Sequence, residues 1–291
     1  MTESTSDAVR ARRVPSLPEV VLALVHSNVF IALAATSWVV TTTVLVGLPF
    51  DPVPAFIVFA VTLFVYSFNR FTDIDEDEYN VPGRAAFTRR YGRIVLGVGT
   101  VSYAIVVGLA FELGLPRAEL LFAPLAIALL YSVGGLKRIL LVKNLLVGVA
   151  WGAIPFGVGV YHGVADSTDV LFLAAYVTVM LTVAAVIFDL KDVEGDRREG
   201  IRTIPLVFGP RGTRLGSMGV SGLAAASIVA AVGSGALAGS YLVLLAFNAY
   251  VCWYSLAAEP DAGPLFYGFV VDGEHAFLAL VVLALYALDA L

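Results

Sequence analysis

Two acidic segments in this chain place carboxylates at helical spacing. One reads Asn69-Arg70-Phe71-Thr72-Asp73-Ile74-Asp75-Glu76-Asp77, the other Asp189-Leu190-Lys191-Asp192-Val193-Glu194-Gly195-Asp196. On a helix, Asn69, Asp73 and Asp77 stack along one face at i, i+4 steps, and Asp189, Asp192 and Asp196 share a face at i, i+3, i+7. Faces of this kind suit a hard divalent cation. Mg2+ takes one or two carboxylates and completes its shell with water and phosphate oxygens, so the two faces together could hold Mg2+ against a diphosphate. Asp75, Glu76, Glu78 and Glu194 fall off these faces and are read as solvated. A lone D-x-x-x-D is better explained as a solvated loop end, because short motifs match by chance. Two copies, each at the end of an apolar run and one led by Asn69, reverse that balance.

The elements that must position these acids are membrane helices. Of 291 residues, 59% are hydrophobic and 14% charged, with a mean hydropathy of +0.89, whereas soluble domains carry about 25% charged residues. Runs long and apolar enough to span a bilayer fall at roughly 20–46, 53–69, 94–113, 118–134, 144–161, 169–188, 213–233, 238–256 and 274–290. The expected fold is therefore all-α: a polytopic bundle of about nine transmembrane helices around a central cavity open to the bilayer. Residues 1–19 read as a cytoplasmic tail and 20–291 as a single transmembrane domain. The run from 20 to 46 is too long for a signal-peptide core and is broken by His26-Ser27-Asn28, so an uncleaved first span is the better reading.

Charge placement orients this bundle. With the N-terminus cytoplasmic, all of the 18 basic residues except Arg117 fall on the cytoplasmic side, as the positive-inside rule requires. Both acidic segments, following the second and sixth spans, then emerge on that same side and can converge on one site. No basic patch interleaved with aromatics suggests nucleic acid. The one cysteine, Cys252, excludes an intrachain disulfide, and His26 and His275 are too isolated to suggest a metal site. Arginine outnumbers lysine while alanine and valine abound, pointing to a GC-rich prokaryotic coding sequence and a prokaryotic cell membrane.

The motifs resemble those of a known family. Asn69-Arg70-x-x-Asp73-x-x-x-Asp77 with Asn80-Val81-Pro82-Gly83-Arg84 looks like the first aspartate motif of the UbiA superfamily of intramembrane prenyltransferases. The stretch from Asp192 to Pro205 looks like its second, D-x-E-x-D-x-x-x-G-x-x-T-x-P, and Tyr131-Ser132 with Lys137 and Lys143-Asn144 is similar to a third family stretch. The chain departs from the pattern in carrying Ala85 where many members have proline, and Arg70 where many have aspartate.

The resemblance implies Mg2+-dependent transfer of a polyprenyl group from its diphosphate to a hydrophobic or aromatic acceptor, with pyrophosphate released, as in quinone, isoprenoid-lipid or carotenoid biosynthesis. Asp73, Asp77, Asp192 and Asp196 would hold the metal, with Asn69 and Asp189 as additional ligands. Asn69, Arg84, Lys137, Lys143, Arg198 and Arg202 would contact the diphosphate, and arginine's fork suits bidentate contact. Tyr131, Tyr66 and Phe188 are candidates for lining the substrate site and stabilising an allylic cation. Two other classes were weighed. A transporter would place its ionisable groups near mid-membrane on broken helices, whereas these acids gather at one interface. A CDP-alcohol phosphatidyltransferase would carry D-G-x-x-A-R, which is absent.

Overall fold

The computed structural model describes residues 16–132 and 139–291, and among them every regular element is helical. Numbered in chain order, the α-helices are α1 Leu17–His26, α2 Val29–Val46, α3 Pro52–Thr72, α4 Ile74–Asn80, α5 Pro82–Glu112, α6 Ala123–Ser132, α7 Val142–Tyr161, α8 Thr168–Glu199, α9 Ile204–Gly233, α10 Leu244–Ala257 and α11 Glu274–Ala287. Eight stretches are long and apolar enough to cross a membrane. They are α2, α3, α5, α7, α8, α9, α10 with its leading 3-10 turn, and α11 with the π-helical turn Phe266–Val271. The remaining expected span, 118–134, is the 3-10 turn Ala118–Phe122 followed by the short α6. Residues 133–138 lie outside the described residues.

The expected boundaries shift where charge was read as the end of a helix. The run 20–46 divides into α1 and α2 at Ser27-Asn28, where Asn28 adopts the left-handed φ of 63° that asparagine tolerates better than most residues. Its Nδ2 donates to Ser67 Oγ at 3.3 Å, tying the break to α3. Helix α5 begins at Pro82, well before residue 94, because proline is at home in a first helical turn. Helix α8 runs past residue 188 to Glu199. Glu194 pairs with Arg197 at 3.1 Å and Arg198 at 3.2 Å on its exposed face, spacings that support a helix. Gly200, at φ 68°, ends it with a left-handed cap.

Helix α8 occupies the middle of the bundle. Leu173, Val177, Met180 and Ile187 are fully buried, packed in one core with Trp38 of α2, Phe247 and Tyr254 of α10, and Leu278 of α11. Against α7 the approach is closest. A Cβ at Gly148 would lie 2.3 Å from the Thr178 carbonyl oxygen, and one at Gly152 would lie 2.6 Å from that of Ala174. This Gly-x-x-x-Gly seam lets two membrane helices touch backbone to backbone where lipid supplies no hydrophobic drive. It also sets the register that brings the start of α7 against the C-terminal third of α8.

Candidate functional site

The first acidic segment is not one continuous helix. Helix α3 stops at Thr72, Asp73 takes φ −104° and ψ 23° at the junction, and α4 resumes at Ile74. The i, i+4 register nevertheless survives, since Asp73 N–H donates to the Asn69 carbonyl at 2.9 Å and Asp77 N–H to the Asp73 carbonyl at 3.0 Å. Asp77 is buried and clasped by Arg84. The Arg84 Nε donates to Oδ2 at 2.8 Å and its Nη2 donates to Oδ1, while Arg70 stands 3.8 Å away. A buried carboxylate persists in this setting only with such partners.

The second segment is held by α7. Lys143 Nζ lies 2.9 Å from Asp189 Oδ1 and 3.7 Å from Asp196 Oδ2, and Asn144 Nδ2 donates to Asp189 Oδ2 at 3.0 Å. Lys191 Nζ lies 2.6 Å from Asp192 Oδ2. Arg84 is within electrostatic reach of Asp192, so cations of one segment face acids of the other. A Cβ on Gly195 would fall 2.4 Å from Asn80 Oδ1, so the missing side chain is what allows α4 to lie against α8.

No three His, Cys, Asp or Glu side chains among the described residues are gathered closely enough to hold a metal together. The motif acids are instead partnered by Arg84, Lys143 and Lys191. Four buried oxygens of the second segment still lack a hydrogen-bond partner among the described residues: Asp192 Oδ1, Asp196 Oδ2, Asn144 Oδ1 and Thr203 Oγ1. Orphaned buried acceptors are costly, and an all-oxygen set of this kind is what Mg2+ accepts. The donor chemistry therefore fits a hard divalent cation.

Two cavities share one residue, Tyr66, in their walls. One of about 330 Å3 has a polar wall that includes His26, Asn28, Arg70, Arg84, Lys191 and Asp272. The other, of about 400 Å3, is bounded by α3, α6 and α7 and lined largely by apolar side chains such as Val58, Val61, Ile127 and Ile154. Tyr66 lines both, and its hydroxyl accepts from Trp151 Nε1 at 3.2 Å. From Tyr66 to Pro54 at the far end of the apolar cavity, α3 rises about 18 Å at 1.5 Å per residue.

The expected site residues are distributed unevenly over this geometry. Arg84, Tyr66 and Phe188 line the polar cavity, with Lys191 Nζ 5.6 Å above the Phe188 ring. Lys143, Asp189 and Asp196 form one buried ion cluster. Arg198 is turned to Glu194 on the exposed face of α8, and Arg202 is exposed beyond the end of that helix. Lys137 and the Tyr131 side chain lie outside the described residues. Sequence reasoning passed over Arg70, Lys191, Asp272 and His26 as site groups. Arg70 stood out only as a topology signal and a departure from the family motif, and Lys191 only as a topology signal, while His26 belonged to the break His26-Ser27-Asn28 and Asp272, near Glu274 and His275, has no recognisable spacing. Burial, followed by the nearby Arg84 and Arg70, pushes the His26 imidazole down to about 4, so it is neutral at physiological pH.

Comparison with known proteins bears on the family and the fold. A sequence model described as the UbiA prenyltransferase family matches residues 27–265. The digeranylgeranylglyceryl phosphate synthase of Methanothermobacter thermautotrophicus is 30% identical over 163 residues, covering 55% of this chain and 54% of the relative. The homogentisate phytyltransferase of a Synechocystis species is 28% identical over 170 residues, covering 54% of each. The chain thus matches about half the length of either relative. The solved apo structure of a UbiA homolog from Aeropyrum pernix K1 superposes with a TM-score of 0.65 at 21% identity, over 89% of this chain and 98% of that one.

Proposed function

Because this chain belongs to the UbiA prenyltransferase family, we propose that it moves a polyprenyl group from a polyprenyl diphosphate to a lipophilic or aromatic acceptor and releases pyrophosphate. The observation that carries this reading is that Tyr66 lines both a cavity walled by Arg70, Arg84 and Lys191 and a second, apolar cavity. A polyprenyl diphosphate has the same two halves, a multiply charged head and a long hydrocarbon tail. The head fits beside Arg70, Arg84 and Lys191, and the tail fits along Val58, Val61 and Ile154 towards Pro54.

Asp73, Asp77, Asp192 and Asp196 would hold Mg2+, with Asn69 and Asp189 completing or orienting the set. When bound, the metal neutralises the diphosphate and stabilises the departing pyrophosphate. The chain's own residues supply the rest. Arg84 can exchange its pairing with Asp77 for a bidentate contact to a phosphate oxygen pair, because its fork matches both. Lys143 keeps Asp189 and Asp196 placed, with Asn144 as a second partner of Asp189. The faces of Tyr66 and Phe188 can favour an allylic cation by roughly 0.5–2 kcal/mol each, and the apolar wall excludes water that would otherwise capture it. Basic-residue placement supports a cytoplasmic position for this end of the bundle.

The names of the two relatives suggest an acceptor lying between a lipid phosphate and an aromatic ring. The test is a crossed screen of purified protein in nanodiscs, combining labelled polyprenyl diphosphates with both acceptor classes, with Mg2+ or EDTA. Pyrophosphate release and a prenylated product are expected with Mg2+, and neither with EDTA. Cation uptake into proteoliposomes, with no release from any donor, would replace this reading with a transporter.

A further inference from the structure

His26 is the last residue of α1, and α1 is seated by two close approaches. A Cβ on Gly268 would lie 2.5 Å from Val25 Cγ1, so the π-helical turn before α11 admits α1 only through that glycine. On the other side, Gly83 at the start of α5 lies against His26 Cε1, 3.6 Å from where a Cβ would stand. The left-handed Asn28 then turns the chain into α2, and its bond to Ser67 locks the turn. Together these contacts hold the imidazole in the wall of the polar cavity, tilted against Phe87 with ring centroids 5.9 Å apart.

Only 7% of His26 is exposed, and its Nε2 has no hydrogen-bond partner among the described residues. A buried polar atom left in that state is costly unless a ligand satisfies it. The groups facing it decide which ligand. Arg70, Arg84 and Lys191 make the cavity attractive to an anion, while Asp77 is already clasped by Arg84, and Asp261 and Asp272 lie on the same cavity's wall. Burial, with the same arginines, keeps the ring neutral, so an Nε2–H donor would add no further positive charge to the wall.

We propose that His26 is a catalytic residue that donates from Nε2–H to an oxygen of the leaving diphosphate. The inference rests on the prenyl-transfer reading above. As the carbon–oxygen bond of the donor breaks, negative charge grows on the departing diphosphate and the bond from Nε2–H strengthens. The contact therefore favours the transition state over the bound substrate. No proton changes hands at His26 in this step. The pyrophosphate leaves with the electron pair of the broken bond, an electron pair of the acceptor forms the new bond to carbon, and the proton the acceptor then loses passes to the released pyrophosphate.

The experiment measures inorganic pyrophosphate binding to the detergent-purified full chain in Mg2+, together with kcat and KM for prenyl transfer. His26→Phe keeps the ring packed against Phe87 but removes the donor, and should weaken pyrophosphate binding by about tenfold. It should also lower kcat more than it raises KM. His26→Gln, which restores an N–H donor, should recover most of both losses. Wild-type binding with unchanged affinity in His26→Phe overturns the inference alone. So does a lowered thermal midpoint in both variants at wild-type affinity, which marks a purely structural residue. Wild-type protein that neither binds pyrophosphate nor turns over any prenyl donor overturns the inference and the functional reading together.

Discussion

Asp73 stands at a junction between two helices, whereas Asp189, Asp192 and Asp196 ride a single helix of 32 residues through the centre of the bundle. The partners differ as well. Asp77 is clasped by Arg84, which is seven residues away, so that cluster is local in sequence. Asp189 is held by Lys143 and Asn144, on a different helix. The first segment can rearrange by moving one short helix, α4. The second cannot move without disturbing the Gly148–Gly152 seam and the core around Met180 and Ile187. A fixed half and an adjustable half suit a site that must close over a charged head group entering from one side.

Five substitutions test this contrast. Asp73→Ala and Asp192→Ala should each cut prenyl transfer by about a thousandfold or more, since both remove a proposed ligand of the metal that would stabilise the leaving head. Asp73→Ala, at the helix junction, should leave the thermal midpoint in detergent at its wild-type value. Near-normal turnover in either variant removes the proposed site. Next in size, Asp77→Ala and Lys143→Met each strand a buried charge, and each should cost about 3 kcal/mol of stability. Limited proteolysis should then separate the two halves. Cleavage confined to 70–93 is expected for Asp77→Ala, and a cooperative loss of the whole bundle for Lys143→Met. The same pattern in both would erase the distinction drawn here. Smallest is Arg198→Ala. Its partner Glu194 is exposed, so stability should change by less than about 0.5 kcal/mol, and turnover should stay within about twofold of wild type. A large fall in turnover would return Arg198 to the phosphate-contacting set.

Much of this was legible before the fold was known. The spans could be read because bilayer-crossing helices need long runs with internally paired backbones, and eight of the expected nine recur at full crossing length among the described residues. The acids could be read because i, i+4 and i, i+3, i+7 spacings mean one face on any helix. The helix ends were harder. The charged stretch after residue 188 was taken to leave the helix, yet α8 continues through it on Glu194–Arg197 and Glu194–Arg198 pairs. His26 and Asp272 gave no signal, since a single polar residue has no spacing to recognise. They acquire meaning only from what faces them across the polar cavity.

The sequence by itself determined a helical membrane bundle, the faces on which its acids lie and the family to which its motifs point, because these depend on local periodicity and composition. Only the tertiary structure decided that Arg84 holds Asp77 while Lys143 spans Asp189 and Asp196. It also decided that Tyr66 lines both a charged cavity and an apolar one, and that His26, in the wall of the charged one, keeps a buried and unpaired nitrogen. Those facts depend on which helix backbones can approach one another, and Gly148 and Gly152 settle that for α7 and α8 through contacts distant in the chain.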